Sequence, residues 1–285
     1  MPSHPKRRPL RTALRLLIPA VLAALFVYWD NTSLQVTAFS PVFADLPEAF
    51  DGCRIAVLSD LHGARFGERN EKLFDAVAEA RPDYIFYLGD IEDQFRGAVP
   101  GYPEELAEGL TAIAPTYYIT GNHEWAVGGV PQLKETLTAH GVTVLSNQAL
   151  LLERDGQSLV LAGIDDPNGY ADQKTPEALA AEIYAACGDP FWVLLAHRNN
   201  LFPDRYSLLG ADLVVSGHGH GGLVRLPFTD GLFSTDHTLF PSCTAGLYEA
   251  HGSRLFVTRG LGNSGSTFRL FNRPEIAVLT LGRGA

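Results

Sequence analysis

The sequence predicts a layered α/β domain that follows one short apolar segment at the N-terminus. From about residue 50 onward, short apolar runs rich in β-branched and aromatic residues alternate with stretches of helical periodicity. This alternation is typical of a layered α/β domain. Before it, residues 16–29 form an uncharged apolar run. With 285 residues, of which 46% are hydrophobic and 19% charged, the chain can bury a sizeable core, which excludes a disordered or fibrous protein.

Eight strands are predicted from the apolar runs, at residues 54–59, 84–88, 116–120, 159–164, 191–196, 212–216, 255–258 and 275–281. Helical periodicity predicts four helices, at residues 71–80, 104–113, 132–140 and 177–186. In the first of these helices, Leu73, Phe74 and Val77 share one face. Residues 223–247 are rich in Pro, Gly, Ser and Thr, which predicts a long loop or a small hairpin. A loop this long inside a compact domain usually has a function, so we expect it to form a wall of the active site.

The apolar run at the N-terminus follows a basic stretch without acidic residues, which contains Lys6, Arg7, Arg8, Arg11 and Arg15. Extended back to residue 12, the run reaches about 17–18 residues, the lower limit for a membrane span. No small-x-small cleavage site follows it, which favours an uncleaved anchor over a cleaved signal peptide. An ordinary buried helix is disfavoured because it would not need five cations at one end. The positive-inside rule then places the basic flank in the cytoplasm and the domain outside.

The predicted organisation therefore has three parts. Residues 1–30 are a signal-anchor or transmembrane segment, and residues 31–50 are a connecting segment that could hold a first strand. Residues 51–285 form the α/β domain. The predicted location is the cell membrane, with a single pass and an extracytoplasmic catalytic domain.

The charge of the chain restricts its partners. It has 32 acidic and 22 basic residues, a net charge of −10, and five of the basic residues lie in the first fifteen positions. Because the remainder is more acidic still, we expect no nucleic-acid partner. A site that handles phosphate in such a domain needs the positive charge of a metal. The three cysteines are odd in number and lack metal-type spacing, which argues against a disulfide scaffold.

Polar side chains follow five of the predicted strands, at the point where each strand ends. Carboxyl ends of strands form the edge at which open α/β sheets bind ligands. Oxygen and imidazole ligands without thiolate suit Mn, Fe, Zn or Ni. Seven candidates exceed what one ion needs and suit two ions that share a carboxylate. The candidate metal ligands are Asp60, His62, Asp90, Asn122, His197, His218 and His220.

Five short motifs contain these candidates, in the order Asp60-Leu61-His62, Gly89-Asp90, Gly121-Asn122-His123-Glu124, His197 and Gly217-His218-Gly219-His220. This order resembles the calcineurin-like metallophosphoesterases over roughly residues 50–285, and more narrowly their bacterial membrane-anchored, phosphodiesterase-like branch. The resemblance implies a four-layer αββα sandwich. Glu124 departs from the Asp of many members, Gly219 from a frequent Thr, and residues 198–200 from a proline-containing stretch that bears on substrate contacts.

The resemblance also implies a role for each motif residue. One metal would be held by Asp60, His62, Asp90 and His220, and the other by Asp90, Asn122, His197 and His218, with Asp90 bridging. His123 would be catalytic, either as general acid or as electrostatic partner of the phosphoryl oxygens. Manganese is favoured among Mn, Fe, Zn and Ni.

The predicted function is a dinuclear metal-dependent phosphohydrolase, most specifically a phosphodiesterase at the outer face of the cytoplasmic membrane. The resemblance suggests a lipid head group or a cell-envelope phosphate as its phosphoester substrate. A phosphomonoesterase is the alternative, and a non-catalytic metal-binding module is a weaker one because every motif is intact. A different dinuclear hydrolase, such as an amidohydrolase or a metallo-β-lactamase, is disfavoured. The motifs of those enzymes usually begin with His-x-His, whereas here Asp-x-His comes first and His-x-His last. The sequence predicts no oligomeric state.

Overall fold

The computed structural model describes residues 8–234 and 238–284, and side chains from residue 15 onward. Of the basic flank, Lys6 and Arg7 lie outside the described residues, as do residues 235–237 of the predicted long loop.

The described chain contains six α-helices and fourteen strands in mixed order. The helices are α1 (Arg8–Thr32), α2 (Glu71–Glu79), α3 (Tyr102–Thr111), α4 (Asn122–Val127), α5 (Val130–Ala139) and α6 (Pro176–Cys187). The strands are β1 (Gln35–Phe39), β2 (Val42–Phe43), β3 (Arg54–Leu58), β4 (Tyr84–Tyr87), β5 (Thr116–Tyr118), β6 (Thr143–Val144), β7 (Gln148–Arg154), β8 (Gln157–Gly163), β9 (Trp192–Arg198), β10 (Leu213–Gly217), β11 (Gly246–Ala250), β12 (Ser253–Val257), β13 (Glu275–Thr280) and β14 (Gly282–Arg283).

Twelve of these strands form two six-stranded sheets. The first sheet has the order β1-β13-β3-β4-β5-β6, and the second has the order β11-β12-β10-β9-β8-β7. In each sheet the central strands are parallel: β3 to β6 in the first, and β8, β9, β10 and β12 in the second. The remaining strands, β2 and β14, pair with each other. The carboxyl ends of the parallel strands therefore form one edge of each sheet.

The core consists of three clusters, one between the two sheets and one between each sheet and its helices, which gives four layers. Side chains that alternate along a strand belong to different clusters. In β3, Ile55 and Val57 join the cluster between the two sheets, whereas Ala56 and Leu58 pack in the cluster that includes residues of α2, α3 and α5. The second sheet repeats the pattern, since Val214 of β10 packs with residues of α6. Because central strands are buried on both faces, they read as continuous apolar runs, and these are the runs that the sequence revealed.

The structure confirms a mixed α/β fold with parallel sheets. All eight predicted strands occur, as β3, β4, β5, β8, β9, β10, β12 and β13, and the four predicted helices occur as α2, α3, α5 and α6. The segment 31–50 contains β1 and β2, and β1 pairs with β13 inside the first sheet. Strands that the prediction missed, such as β7 and β11, lie at the edges of the second sheet. The predicted long loop, residues 223–247, extends two residues too far, because β11 begins at Gly246.

Helix α1 carries the apolar run, with Leu16, Leu22 and Leu25 exposed. Among the described residues, no helix is both long enough and apolar enough to cross a membrane. The membrane anchor therefore stays a prediction.

Candidate metal centre

The predicted ligands lie at the carboxyl ends of the strands: His197 is within β9, Asn122 begins α4, and the other five lie in the turns after β3, β4 and β10. These five have an uncommon backbone conformation. The φ angle is positive at Asp60 (55°), His62 (49°), Asp90 (55°), His218 (63°) and His220 (45°). Residues other than glycine rarely adopt this left-handed backbone conformation, and it persists only where contacts with the surrounding structure stabilise it. Such backbone outliers cluster at functional sites, so their concentration at the carboxyl ends of β3, β4 and β10 indicates the candidate site.

Backbone hydrogen bonds place the loops after β3 and β4 side by side. The amide of Asp60 donates to the Gly89 carbonyl (3.0 Å), and the amide of His62 donates to the Asp90 carbonyl (3.0 Å). A third loop approaches closely, because a Cβ on Gly121 would lie 2.2 Å from Asp90 Oδ1. Only glycine fits at this position, which explains the first residue of the Gly-Asn-His-Glu motif.

One group of three ligands, called the first triad, consists of Asp60, His62 and His220. All three are buried, and their ligand atoms lie within 4.8 Å of one another. His62 Nε2 is 3.1 Å from His220 Nε2, which is 3.5 Å from Asp60 Oδ1. Two ligands of a tetrahedral ion bound at about 2.1 Å lie about 3.4 Å apart, so these spacings fit a shared metal.

A matching group, called the second triad, consists of Asp90, His197 and His218, whose ligand atoms also lie within 4.8 Å of one another. His197 Nε2 is 3.2 Å from Asp90 Oδ2 and 3.2 Å from Asn122 Oδ1. The same Asp90 Oδ2 lies 3.7 Å from His62 Nε2 of the first triad. The structure thus brings all seven predicted ligands together, with the Asp90 carboxylate between the two triads.

Hydrogen bonds orient two of the imidazoles so that Nε2 faces the centre. Nδ1 of His62 lies 3.3 Å from the Glu92 carbonyl, and Nδ1 of His197 lies 2.6 Å from the Leu88 carbonyl. A carbonyl can only accept, so each Nδ1 donates, and the neutral form of each ring carries its lone pair on Nε2. Metal-binding histidines are commonly oriented in this way. The donor set of carboxylate, amide oxygen and imidazole fits a divalent transition metal.

Burial and the Asp90 charge decide the protonation of this cluster. Although burial by itself lowers the pKa of His197, the Asp90 carboxylate raises that pKa to about 10. Burial would raise the pKa of Asp90, but His197 holds it well below its usual range. Burial lowers the pKa of His218 to about 3 and also lowers the pKa values of His62 and His220. These three imidazoles are therefore neutral, the form that binds a metal.

His123, the predicted catalytic residue, lies beside both triads. The backbone amide of Gln94 donates to His123 Nδ1 (3.0 Å), so a neutral His123 carries its proton on Nε2. That Nε2 lies 4.0 Å from Asp90 Oδ2. His123 is thus placed to donate a proton towards the centre between the triads.

The sequence interpretation missed Asp93. It is buried, its Oδ1 lies 3.5 Å from His123 Nδ1, and its ligand atom falls within 4.8 Å of those of His62 and His123. Its Oδ2 accepts from the Gly265 amide (2.8 Å), which ties this loop to the far side of the site. Asp93 ends the acidic stretch that follows β4, a feature that it shares with ordinary acidic loop residues.

Glu124 lies outside the predicted ligand set, and its carboxylate is hydrogen-bonded to the loop that carries Asp90. It accepts from the backbone amides of Asp90 (2.9 Å), Ile91 (2.6 Å) and Gly121 (2.7 Å). Burial and the Asp90 charge raise the pKa of Glu124 to about 8. The side chain therefore ties the loops after β4 and β5 together.

A cavity of about 730 Å³ opens in front of the two triads. Its wall includes Phe95, Arg96, Arg198, Leu223 and Thr267. Leu223 starts the long loop that we expected to form a wall, whereas described residues further along this loop line a smaller adjoining cavity of about 190 Å³.

The two arginines near the site differ in their contacts. Arg198 makes a two-point ion pair with buried Asp166 (2.7 and 3.0 Å) and still reaches the cavity. Arg259 instead binds Glu275 (2.9 Å from its Nε). Of the two, Arg198 is the one on the wall of the large cavity.

A two-sheet α/β sandwich that gathers Asp, Asn and His side chains where the carboxyl ends of both sheets meet defines a class of metal-dependent hydrolases. The family model for calcineurin-like phosphoesterase matches residues 53–222, and the chain belongs to this family. Membership makes it a metal-dependent phosphoester hydrolase, as the motif order predicts.

Three relatives illustrate the similarity. The chain is 30% identical over 269 residues to the Bacillus subtilis protein named uncharacterized metallophosphoesterase YkuE, covering 89% of this chain and 87% of the relative. It is 32% identical over 238 residues to the phosphodiesterase YaeI of Escherichia coli, covering 80% of this chain and 82% of that protein. A Danio rerio transmembrane protein with metallophosphoesterase domain is 28% identical, and the match covers 95% of this chain but 62% of that longer protein.

Proposed function

We propose that the protein is a phosphodiesterase with a dinuclear metal centre, acting at the outer face of the cytoplasmic membrane. The observation that carries the proposal is the position of Asp90 Oδ2, 3.2 Å from His197 Nε2 in the second triad and 3.7 Å from His62 Nε2 in the first. A carboxylate between two ligand groups is the arrangement that a bridging ligand requires.

The first triad with Asp90 would hold one metal, and the second triad with Asn122 would hold the other. Manganese is our preferred ion, and Fe, Zn and Ni accept the same donor types. When bound, two divalent ions supply positive charge for the phosphoryl oxygens and lower the pKa of water.

The remaining steps belong to side chains of this protein. His123 presents the Nε2 proton to the leaving oxygen, and the Gln94 amide on Nδ1 keeps the ring in that tautomer. Arg198, held in place by Asp166, offers its remaining guanidinium edge to a phosphate oxygen in the cavity. Phe95 and Leu223 provide apolar wall for an organic group on the substrate.

The preference for a diester is supported by the similarity to the E. coli protein named a phosphodiesterase. A cavity with both cationic and apolar wall has room for a second ester group, such as that of a lipid head group or a cell-envelope phosphate. The membrane location is supported by the exposed apolar side chains of α1, and by the Danio rerio relative named a transmembrane protein.

The test uses the full chain, purified in detergent, stripped of metal and reloaded with manganese. Turnover of an aryl phosphodiester is compared with that of the matching monoester, with Asp90→Asn as the inactive control. Manganese-dependent turnover that favours the diester supports the proposal. A preference for the monoester would make the protein a phosphomonoesterase, and silence on both with two metals bound would favour the non-catalytic module.

A further inference from the structure

The C-terminal end of α1 is hydrogen-bonded to the segment between β12 and β13. Asn31 makes the densest contacts: its Nδ2 donates to the Arg269 carbonyl (2.8 Å), and its Oδ1 accepts from the Arg269 amide (2.7 Å) and from Asn263 Nδ2 (2.9 Å). The neighbouring Asp30 is buried, and its Oδ2 accepts from the Asn272 amide (3.2 Å). These contacts join residues more than 230 positions apart in the chain.

The same segment holds the first triad. Asn272 Nδ2 donates to the carbonyls of His220 (2.7 Å) and Leu223 (3.1 Å), which flank the turn that carries His220. Arg269 is fully buried, and its Nη2 lies 3.2 Å from His220 Nδ1. The Arg269 guanidinium also donates to the Gly262 carbonyl (2.7 Å), next to Asp60.

Two short chains of contacts therefore run from α1 to one metal ligand. One runs from Asp30 through Asn272 to the backbone of His220, and the other runs from Asn31 through Arg269 to its imidazole. Each chain has a single residue between α1 and His220. Because His220 has a positive φ of 45°, its conformation depends on such surrounding contacts.

We propose that Asp30 and Asn31 are positioning residues, through which the end of α1 holds His220 in the geometry that binds metal at the first triad. The helix end would then be part of the catalytic machinery as well as the end of the N-terminal segment. The inference rests on the proposed function for its metal, but the positioning itself concerns only the described contacts. Partners outside the ligand shell typically change metal affinity by about 10–100-fold.

The test compares Asn31→Ala and Asp30→Ala with two controls in the full chain. Asp30→Asn keeps a side-chain oxygen that can accept from the Asn272 amide. Thr32→Ala removes an exposed hydroxyl on the same helix turn, which donates to the Tyr28 carbonyl inside α1.

The first readout is amide hydrogen exchange of metal-free protein. The amides of Gly222 and Leu223, which bond to carbonyls within the turn that carries His220, should exchange at least about tenfold faster in both Ala variants. The amide of Ile164, which bonds to the Leu195 carbonyl in the second sheet, should exchange at the wild-type rate. The controls Asp30→Asn and Thr32→Ala should leave all three amides at that rate.

The second readout is manganese titration. In the Ala variants, one of two binding steps should weaken by about tenfold or more, while the other keeps its wild-type affinity. Unchanged exchange at Gly222 and Leu223 would overturn the proposal. Equally faster exchange at Ile164, with both binding steps weakened alike, would show that the contacts only stabilise the fold. If the wild type binds no manganese while the exchange changes as expected, the proposed function fails and the positioning stands.

Discussion

The two triads offer similar ligands, but different parts of the fold hold them. In the second triad, the Leu88 carbonyl at the end of β4 orients His197, and Glu124 supports the loop that carries Asp90. In the first triad, His220 contacts Arg269 and Asn272, which are in turn bonded to the end of α1. The supports of the second triad thus come from loops at the ends of central strands. In the first triad, Asp60 and His62 are also held by the loop after β4, and only His220 is held by the segment between β12 and β13 and by the N-terminal helix.

This difference matters because central strands and peripheral segments respond differently to change. Leu88, whose carbonyl orients His197, packs in the core between the two sheets, so this support of the second triad should move only with the core. Contacts at the end of a helix are lost in local opening events that leave the core intact. Two sites with the same chemistry can therefore differ in how readily they lose a metal.

The largest effect is expected for Asp90→Asn, which changes the carboxylate between the triads. Loss of its charge should weaken metal binding at both triads and lower kcat by about a thousandfold or more. Metal content per chain and kcat with the aryl diester check this. If one metal stays at full occupancy, Asp90 is a ligand of one metal only and does not bridge the two triads.

A smaller effect is expected for His123→Ala, which removes a proton donor that belongs to neither triad. Both metals should remain bound, while kcat falls by about 10²–10⁴-fold. The measurement pairs turnover with metal analysis on the same sample. A metal content that falls together with kcat would instead make His123 a ligand, in the group that it forms with His62 and Asp93.

The smallest effect is expected for Glu124→Gln, which tests the support of the second triad through pH. The folded-state pKa of Glu124 is raised from 4.5 to about 8, so the native state binds an extra proton between these values. Its contribution to stability is therefore fully present below about pH 4.5 and is lost as the pH rises through about 8. Because Gln does not titrate, the variant should lose this part of the pH dependence.

The measurement is the free energy of unfolding of metal-free protein by urea, at several pH values between 5 and 9. Between these limits, wild type should lose at least about 1 kcal/mol relative to the variant. Parallel pH profiles for the two proteins would contradict a raised pKa at Glu124.

Much of the site could be predicted because its signals are local. Each predicted ligand follows an apolar run within a few residues, as Asp60 follows β3 and His197 lies near the end of β9. Asp93 was missed because nothing in its local pattern separates it from an ordinary acidic loop residue. Its place beside His123 depends on how the loops after β4 and β5 pack against each other.

The sequence by itself determined the central strands, four of the helices and the family, and it predicted a set of candidate ligands, because apolar periodicity and motif order are properties of consecutive residues. Only the tertiary structure decided that Asp93 lies beside His123, and that Asn31 of α1 meets Arg269 behind His220. The physical reason is distance along the chain. A hydrogen bond between residues 238 positions apart leaves no periodic trace in either segment, because packing alone brings its two partners together.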